Sequence, residues 1–77
     1  MKVKVRIIGV LKRPRGKDTF ELDLPEGAKI KDLLEKSGFD SVHAAHILTA
    51  VNGDYKKHFH KLEDGDEVLL SMIVGGG

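Results

Sequence analysis

Lys2-Val3-Lys4-Val5-Arg6-Ile7 alternates charged with β-branched residues. A period of two marks a strand with one face in a core and the other in water. Val3, Val5 and Ile7 are the expected inward positions, and Lys2, Lys4 and Arg6 the outward ones. The same period returns over Thr19-Phe20-Glu21-Leu22-Asp23-Leu24, with Phe20, Leu22 and Leu24 inward. Two such strands joined by a short loop predict an antiparallel hairpin. Then the period changes. Between Lys29 and Ser37, Ile30, Leu33 and Leu34 fall at i, i+3 and i+4, one stripe of a helix, with Lys31, Asp32, Glu35 and Lys36 opposite. Asp32 and Lys36 are spaced for an i,i+4 ion pair, and Gly38 stands where a left-handed C-terminal cap is expected. So short a helix is marginal alone, so packing on a sheet must hold it.

From Phe39 to Ala45 the pattern weakens, although Asp40 or Ser41 could cap a short helical turn. Ile47-Leu48-Thr49-Ala50-Val51 reads as a buried strand, and Asn52-Gly53 as a tight turn before Tyr55. A connecting segment with Phe59 and Leu62 leads to a second turn at Asp64-Gly65-Asp66. Glu67 to Val74 is a nearly continuous apolar strand, as a central strand or one with a partly apolar open face would be. The order predicts an α+β fold, a roll with a mixed sheet of four to five strands and one main helix on one face. Right-handed crossover packing puts the last strand parallel to the first, mid-sheet. Residues 1–74 are the expected domain, and 75–77 a flexible glycine tail.

On period two, Val68, Leu70 and Met72 face the helix, while Leu69 and Ile73 take the outer face. Leu69 and Ile73, with Val74 next to the tail, are the candidate docking surface for a protein partner.

Composition narrows the options. A chain of 77 residues has room for one domain. With no cysteine, disulfides and thiolate ligands are excluded, and sulfur chemistry cannot use a side-chain thiol. Thirteen basic residues against twelve acidic ones argue against a dedicated nucleic-acid or membrane binder. The local exception, Lys12-Arg13-Pro14-Arg15-Gly16-Lys17, is punctuated as a solvated loop, with a phosphate or acidic-partner contact as the other reading. Neither a signal-peptide pattern nor a long apolar run is present, which points to a cytoplasmic protein.

Few residues offer chemistry. His43 and His46, or His58 and His60, could share a face, but no cysteine completes a zinc site, so solvated histidines and no bound metal are expected. Glu63, Asp64, Asp66 and Glu67 surround Gly65 and read as turn builders. No nucleophile is paired with a base, so the chain is not expected to be an enzyme.

The element order, the Val51-Asn52-Gly53-Asp54 turn, the Leu62-Glu63-Asp64-Gly65-Asp66-Glu67-Val68 segment and the terminal glycines together resemble the ubiquitin-like sulfur carrier proteins. These include the thiamine-pathway carrier, the molybdopterin synthase small subunit and prokaryotic ubiquitin-like modifiers. The resemblance implies a β-grasp fold. It also implies that an E1-like adenylating enzyme activates the C-terminal carboxylate with ATP, and that a sulfur donor, a cysteine desulfurase or rhodanese-type protein, converts the product to a thiocarboxylate. The implied recipients are a thiazole synthase, the molybdopterin synthase large subunit or a tRNA thiolase, and the ending looks slightly closer to the thiamine-pathway carrier. In modifier relatives the activated end forms an isopeptide bond with lysine instead. A third reading is an interaction module with an inert tail.

Physical chemistry favours the same residues. An α-carboxyl titrates at about 3.5, so a Gly77 carboxylate is ionised at neutral pH and needs an external leaving group. Gly75, Gly76 and Gly77 reach about 10 Å when extended, and without Cβ atoms they can thread a narrow channel. The family ends on two glycines where this chain has three, so Gly77 is the expected modified residue, Gly76 the tail and Gly75 a spacer. The carrier itself would bind no cofactor.

Overall fold

The structure, a computed structural model, describes residues 1–72. Both predicted hairpin strands form, β1 at Lys2–Ile7 and β2 at Thr19–Asp23. They pair antiparallel with Val3 opposite Leu22 and Val5 opposite Phe20, so the two apolar sets share one face. Leu24 lies just past β2 yet is buried. Helix α1 spans Ile30–Lys36, shorter than the expected stripe, because Lys29 and Ser37 serve as its caps. It is followed by α2 (Ser41–Ala44), β3 (Leu48–Val51), β4 (Asp54–Tyr55) and β5 (Glu67–Ser71).

The five strands make one mixed sheet in the order β2-β1-β5-β3-β4. As expected, β5 runs parallel to β1 in the middle, with Val68 beside Val5 and Leu70 beside Ile7. The core is the seam between this sheet face and α1. Val3, Val5, Ile7, Val68 and Leu70 meet Ile30, Leu33 and Leu34 there, each at most 2% exposed. Burial of that seam is what holds a helix too short to persist alone.

The α1 termini show how local residues stop it. Lys29 N–H donates to the Asp32 carboxylate at 2.8 Å. The next two N–H groups, of Ile30 and Lys31, donate to the His60 and His58 carbonyls. At the other end, Gly38 N–H donates to Glu35 O and Phe39 N–H to Leu34 O, with Gly38 at φ +103°. That is a Schellman cap, and buried Phe39 closes it. The expected Asp32–Lys36 ion pair does not form. Asp32 serves the N-terminus, and Lys36 Nζ reaches the Asp23 carbonyl at 2.5 Å. A Cβ on Gly38 would also sit 2.8 Å from the Pro14 Cβ. Gly38→Ala therefore combines a disfavoured φ with a steric overlap and is expected to destabilise by about 1–3 kcal/mol. Equilibrium urea unfolding checks it, and an unchanged midpoint would contradict the cap.

The basic loop is solvent-exposed as expected, with Arg13 alone half-buried among Lys12–Lys17. Arg13 turns back over it, donating from Nε to Asp18 at 2.8 Å and from Nη1 to the Gly9 carbonyl at 2.6 Å and to that of Leu11. Arg15 lies 5.0 Å from the centroid of the Phe20 ring. Two of the loop's cations thus hold its shape.

Candidate functional site

The carboxylates after Leu62 build the start of β5. Asp66 is 8% exposed, and its two oxygens accept from Asn52 Nδ2 at 2.9 Å and Glu63 N–H at 2.8 Å. Asp64 accepts from Lys2 N–H at 2.7 Å. Asn52, at φ +50° beside Gly53 at φ +92°, makes the β3–β4 turn and accepts from Glu67 N–H at 3.0 Å. Positive φ at both positions is the type I′ geometry that suits a two-residue hairpin. One side chain thereby ties the hairpin to the central strand. These acids are structural.

The histidines are placed separately. His58 Nε2 donates to the Ile47 carbonyl at 2.7 Å, and His43 Nδ1 lies 2.7 Å from Asp40. Among the described residues, no three His, Asp or Glu side chains converge on a point that could hold a metal. Asp40 caps α2 by accepting from His43 N–H at 2.8 Å. That backbone bond, then the bond to the His43 ring, holds its carboxyl below the usual carboxylate range. A depressed folded-state pKa stabilises α2 above the unfolded pKa, and the contribution is lost as pH falls through the folded one. The His43 amide resonance should shift on acidification with a midpoint below the ordinary carboxylate range. In Asp40→Asn that titration should vanish, and a midpoint at or above the ordinary carboxylate value would contradict the cap.

With these polar groups committed to structure, the open face of the sheet stands out. The register sets Leu69 between Arg6 of β1 and Ala50 of β3, with Tyr55 across from Ala50 and Leu48 across from Ser71. Leu69 and Leu48 are half-buried, and Tyr55 is 73% exposed. A shallow groove of about 390 Å³ runs along this surface, lined by Arg6, Ala50, Tyr55, Glu67 and Leu69 among others. Leu69 is therefore where period two puts it, on the outer face, while Val68 and Leu70 are fully buried and Met72 packs against the core. Sequence reasoning missed Leu48, Ala50 and Tyr55. Only the strand register shows that three separate elements place them beside Leu69. Ile73, Val74, Gly75, Gly76 and Gly77, the remaining predicted site residues, lie outside the described residues.

A sequence profile described as the ThiS family matches residues 5–77. Among curated protein sequences, none matches significantly. Among solved structures, a Pyrococcus furiosus protein assigned as molybdopterin converting factor subunit 1 is 33% identical, with 95% of this chain and 98% of that one covered and a TM-score of 0.75. SAMP1 from Haloferax volcanii is 22% identical over the whole of both chains, with a TM-score of 0.76. In the Helicobacter pylori complex of subunits 1 and 2 of molybdopterin-converting factor, the matching chain is 23% identical over the whole of both, with a TM-score of 0.63. The last two likenesses speak for the fold alone. Among the described residues, no helix is long and apolar enough to cross a membrane.

Proposed function

The chain belongs to the ThiS family, the ubiquitin-like sulfur carriers its motifs resemble, and we propose that it works as a sulfur carrier: a substrate that other proteins charge and discharge, not a catalyst. In this reading residues 1–74 are the scaffold and 75–77 the working tail. A partner with an E1-like adenylating site transfers AMP from ATP to the Gly77 carboxylate, releasing pyrophosphate. The terminal sulfur of a persulfide on a cysteine desulfurase or rhodanese-type donor then displaces AMP to form an acyl disulfide. A second thiol of the partner proteins cleaves it, leaving the thiocarboxylate and a disulfide between the partners' cysteines. The chain itself holds no cofactor, and the chemistry belongs in the cytoplasm with its partners.

The observation that carries the proposal is the half-buried Leu69 on the open face of the central strand, flanked by Leu48, Ala50 and Tyr55. An apolar surface on β5, the strand that leads towards the glycines, gives a partner a grip on the most constrained element of the sheet. Strands on both sides of β5 hold the element that a partner would grip, and such positioning is what a reaction between two proteins needs.

Intact mass measurement of the protein purified from its host tests the reading. A gain matching one oxygen exchanged for sulfur supports the carrier. Branched peptides bearing the glycine remnant on lysines of other proteins would instead support a modifier. Finding neither, with no ATP-dependent adenylation by the host's activating enzyme, would leave an inert interaction module. Stable co-purification with a large subunit, as in the Helicobacter pylori complex, would assign the sulfur to molybdopterin synthesis over thiazole synthesis or tRNA thiolation.

A further inference from the structure

A net charge of +1 conceals a segregation along one edge of the sheet. After Tyr55 the chain reads Lys56-Lys57-His58-Phe59-His60-Lys61, and the fold brings Lys29 and Lys31 to the same segment. Lys29 forms an isolated bridge with Lys61, and Lys31 N–H donates to the His58 carbonyl at 2.9 Å. His58 in turn pins the segment to Ile47, the residue before β3. The ion pairs of the described residues are Arg13–Asp18 and Asp40–His43, so Lys29, Lys31, Lys56, Lys57 and Lys61 are without a carboxylate at ion-pairing distance among those residues. The adjacent Asp32 is engaged by the Lys29 N–H.

Two aromatic rings stand open between these charges. Tyr55 is 73% and Phe59 68% exposed. They border a groove of about 620 Å³ whose floor includes Ile47, Leu48 and Thr49, with Lys56 and Lys57 on its rim. This groove is distinct from the one lined by Leu69, although Tyr55 borders both and Leu48, beside Leu69 on the open face, forms part of its floor.

Three features identify the occupant. Unpaired positive charges clustered on one short, turned segment match a run of phosphates. Open rings interleaved with those charges offer stacking to unpaired bases of any sequence. All five cations are lysines, whose compact ammonium suits phosphate as a point charge, whereas interfaces between proteins favour arginine and are depleted of lysine. We propose that this edge binds a single-stranded nucleic-acid segment, with its phosphates on Lys56, Lys57 and Lys61 and a base stacked on Phe59. The surface is separate from the tail chemistry, so a chain without Gly76 and Gly77 keeps it, and failure of one reading leaves the other standing.

Fluorescence anisotropy of the full chain with labelled oligouridylate and oligothymidylate tests the proposal. Binding is expected with a Kd of about 10⁻⁴ to 10⁻⁶ M, weakening with salt at a log–log slope of about −0.7 per phosphate contact. Phe59→Ala should weaken it about 5- to 100-fold, the usual range for one lost stack. Lys57→Ala and Lys61→Ala should each flatten the salt slope by about 0.7. Lys12→Ala and Lys17→Ala, in the β1–β2 loop, should change neither quantity. Tighter binding of one sugar type assigns RNA or DNA, and equal binding assigns both. Three results would overturn the proposal: no binding below about 1 mM in low salt, affinity indifferent to Phe59→Ala, or polyglutamate competing as well as the oligonucleotides, which would make the edge a site for an acidic protein.

Discussion

Deleting Gly76 and Gly77 is expected to leave thermal unfolding unchanged and to abolish thiocarboxylate formation. The core cluster is assembled from residues between Val3 and Leu70, with Met1 and Met72 packed against it, so folding has what it needs without the last two positions. Charging does not. The truncated chain would present the carboxylate of Gly75, short by about 7 Å of extended backbone. A misplacement of about 1 Å already costs about 100-fold in a positioned reaction. Gly77→Ala is the milder companion: it keeps the reach but adds a methyl group beside the acyl carbon, and about 10- to 100-fold slower adenylation is expected on the same positional argument. Intact mass after incubation with the activating enzyme and ATP reads both variants. A truncated chain that still gained sulfur would overturn the assignment of the chemistry to Gly77.

The second large effect contrasts two neighbours on β5. Leu70 is fully buried against α1, whereas Leu69, one residue earlier, lies on the open face between Arg6 and Ala50. Leu70→Ala removes core volume that the surrounding strands cannot refill, and a loss of about 2–5 kcal/mol is expected. For a domain this small, with total stability of about 5–15 kcal/mol at best, that is a large share. Urea unfolding should show a sharply lower midpoint. Leu69→Glu places a carboxylate on the half-buried open face beside Arg6, so a much smaller stability loss than that of Leu70→Ala is expected. Partner binding should fall at least about tenfold, the mark of a central apolar contact. Equal stability loss in both variants would mean the outer face is not free. Unchanged affinity in Leu69→Glu would move the docking surface elsewhere.

Much of the fold was legible because the code for each element is local. Alternation in Lys2–Ile7 and Thr19–Leu24 yields β1 and β2, since a pleated chain sends successive side chains to opposite faces. Gly38 and Asn52-Gly53 were readable because a positive φ restricts the residue types at a cap or a type I′ turn. Of the acids around Gly65, Asp64 and Asp66 build the turn as read, though the specific bonds from Asp66 to Asn52 and Glu63 were not foreseeable from spacing. The Asp32–Lys36 pairing failed for a related reason: each group found a backbone partner that a helical wheel does not show.

The amino-acid order alone thus determined the strands, the helix, the turns and which side of β5 is inward, because period, capping and turn chemistry act over a few neighbouring residues. Tertiary structure decided which of those faces meet. It set Leu48, Ala50 and Tyr55 around Leu69, bound Arg13 back over its own loop, and carried Lys29 and Lys31 to the lysines after Tyr55. Such juxtapositions depend on strand register and chain crossing, which follow from burying all the apolar faces at once and are written in no single stretch of the chain.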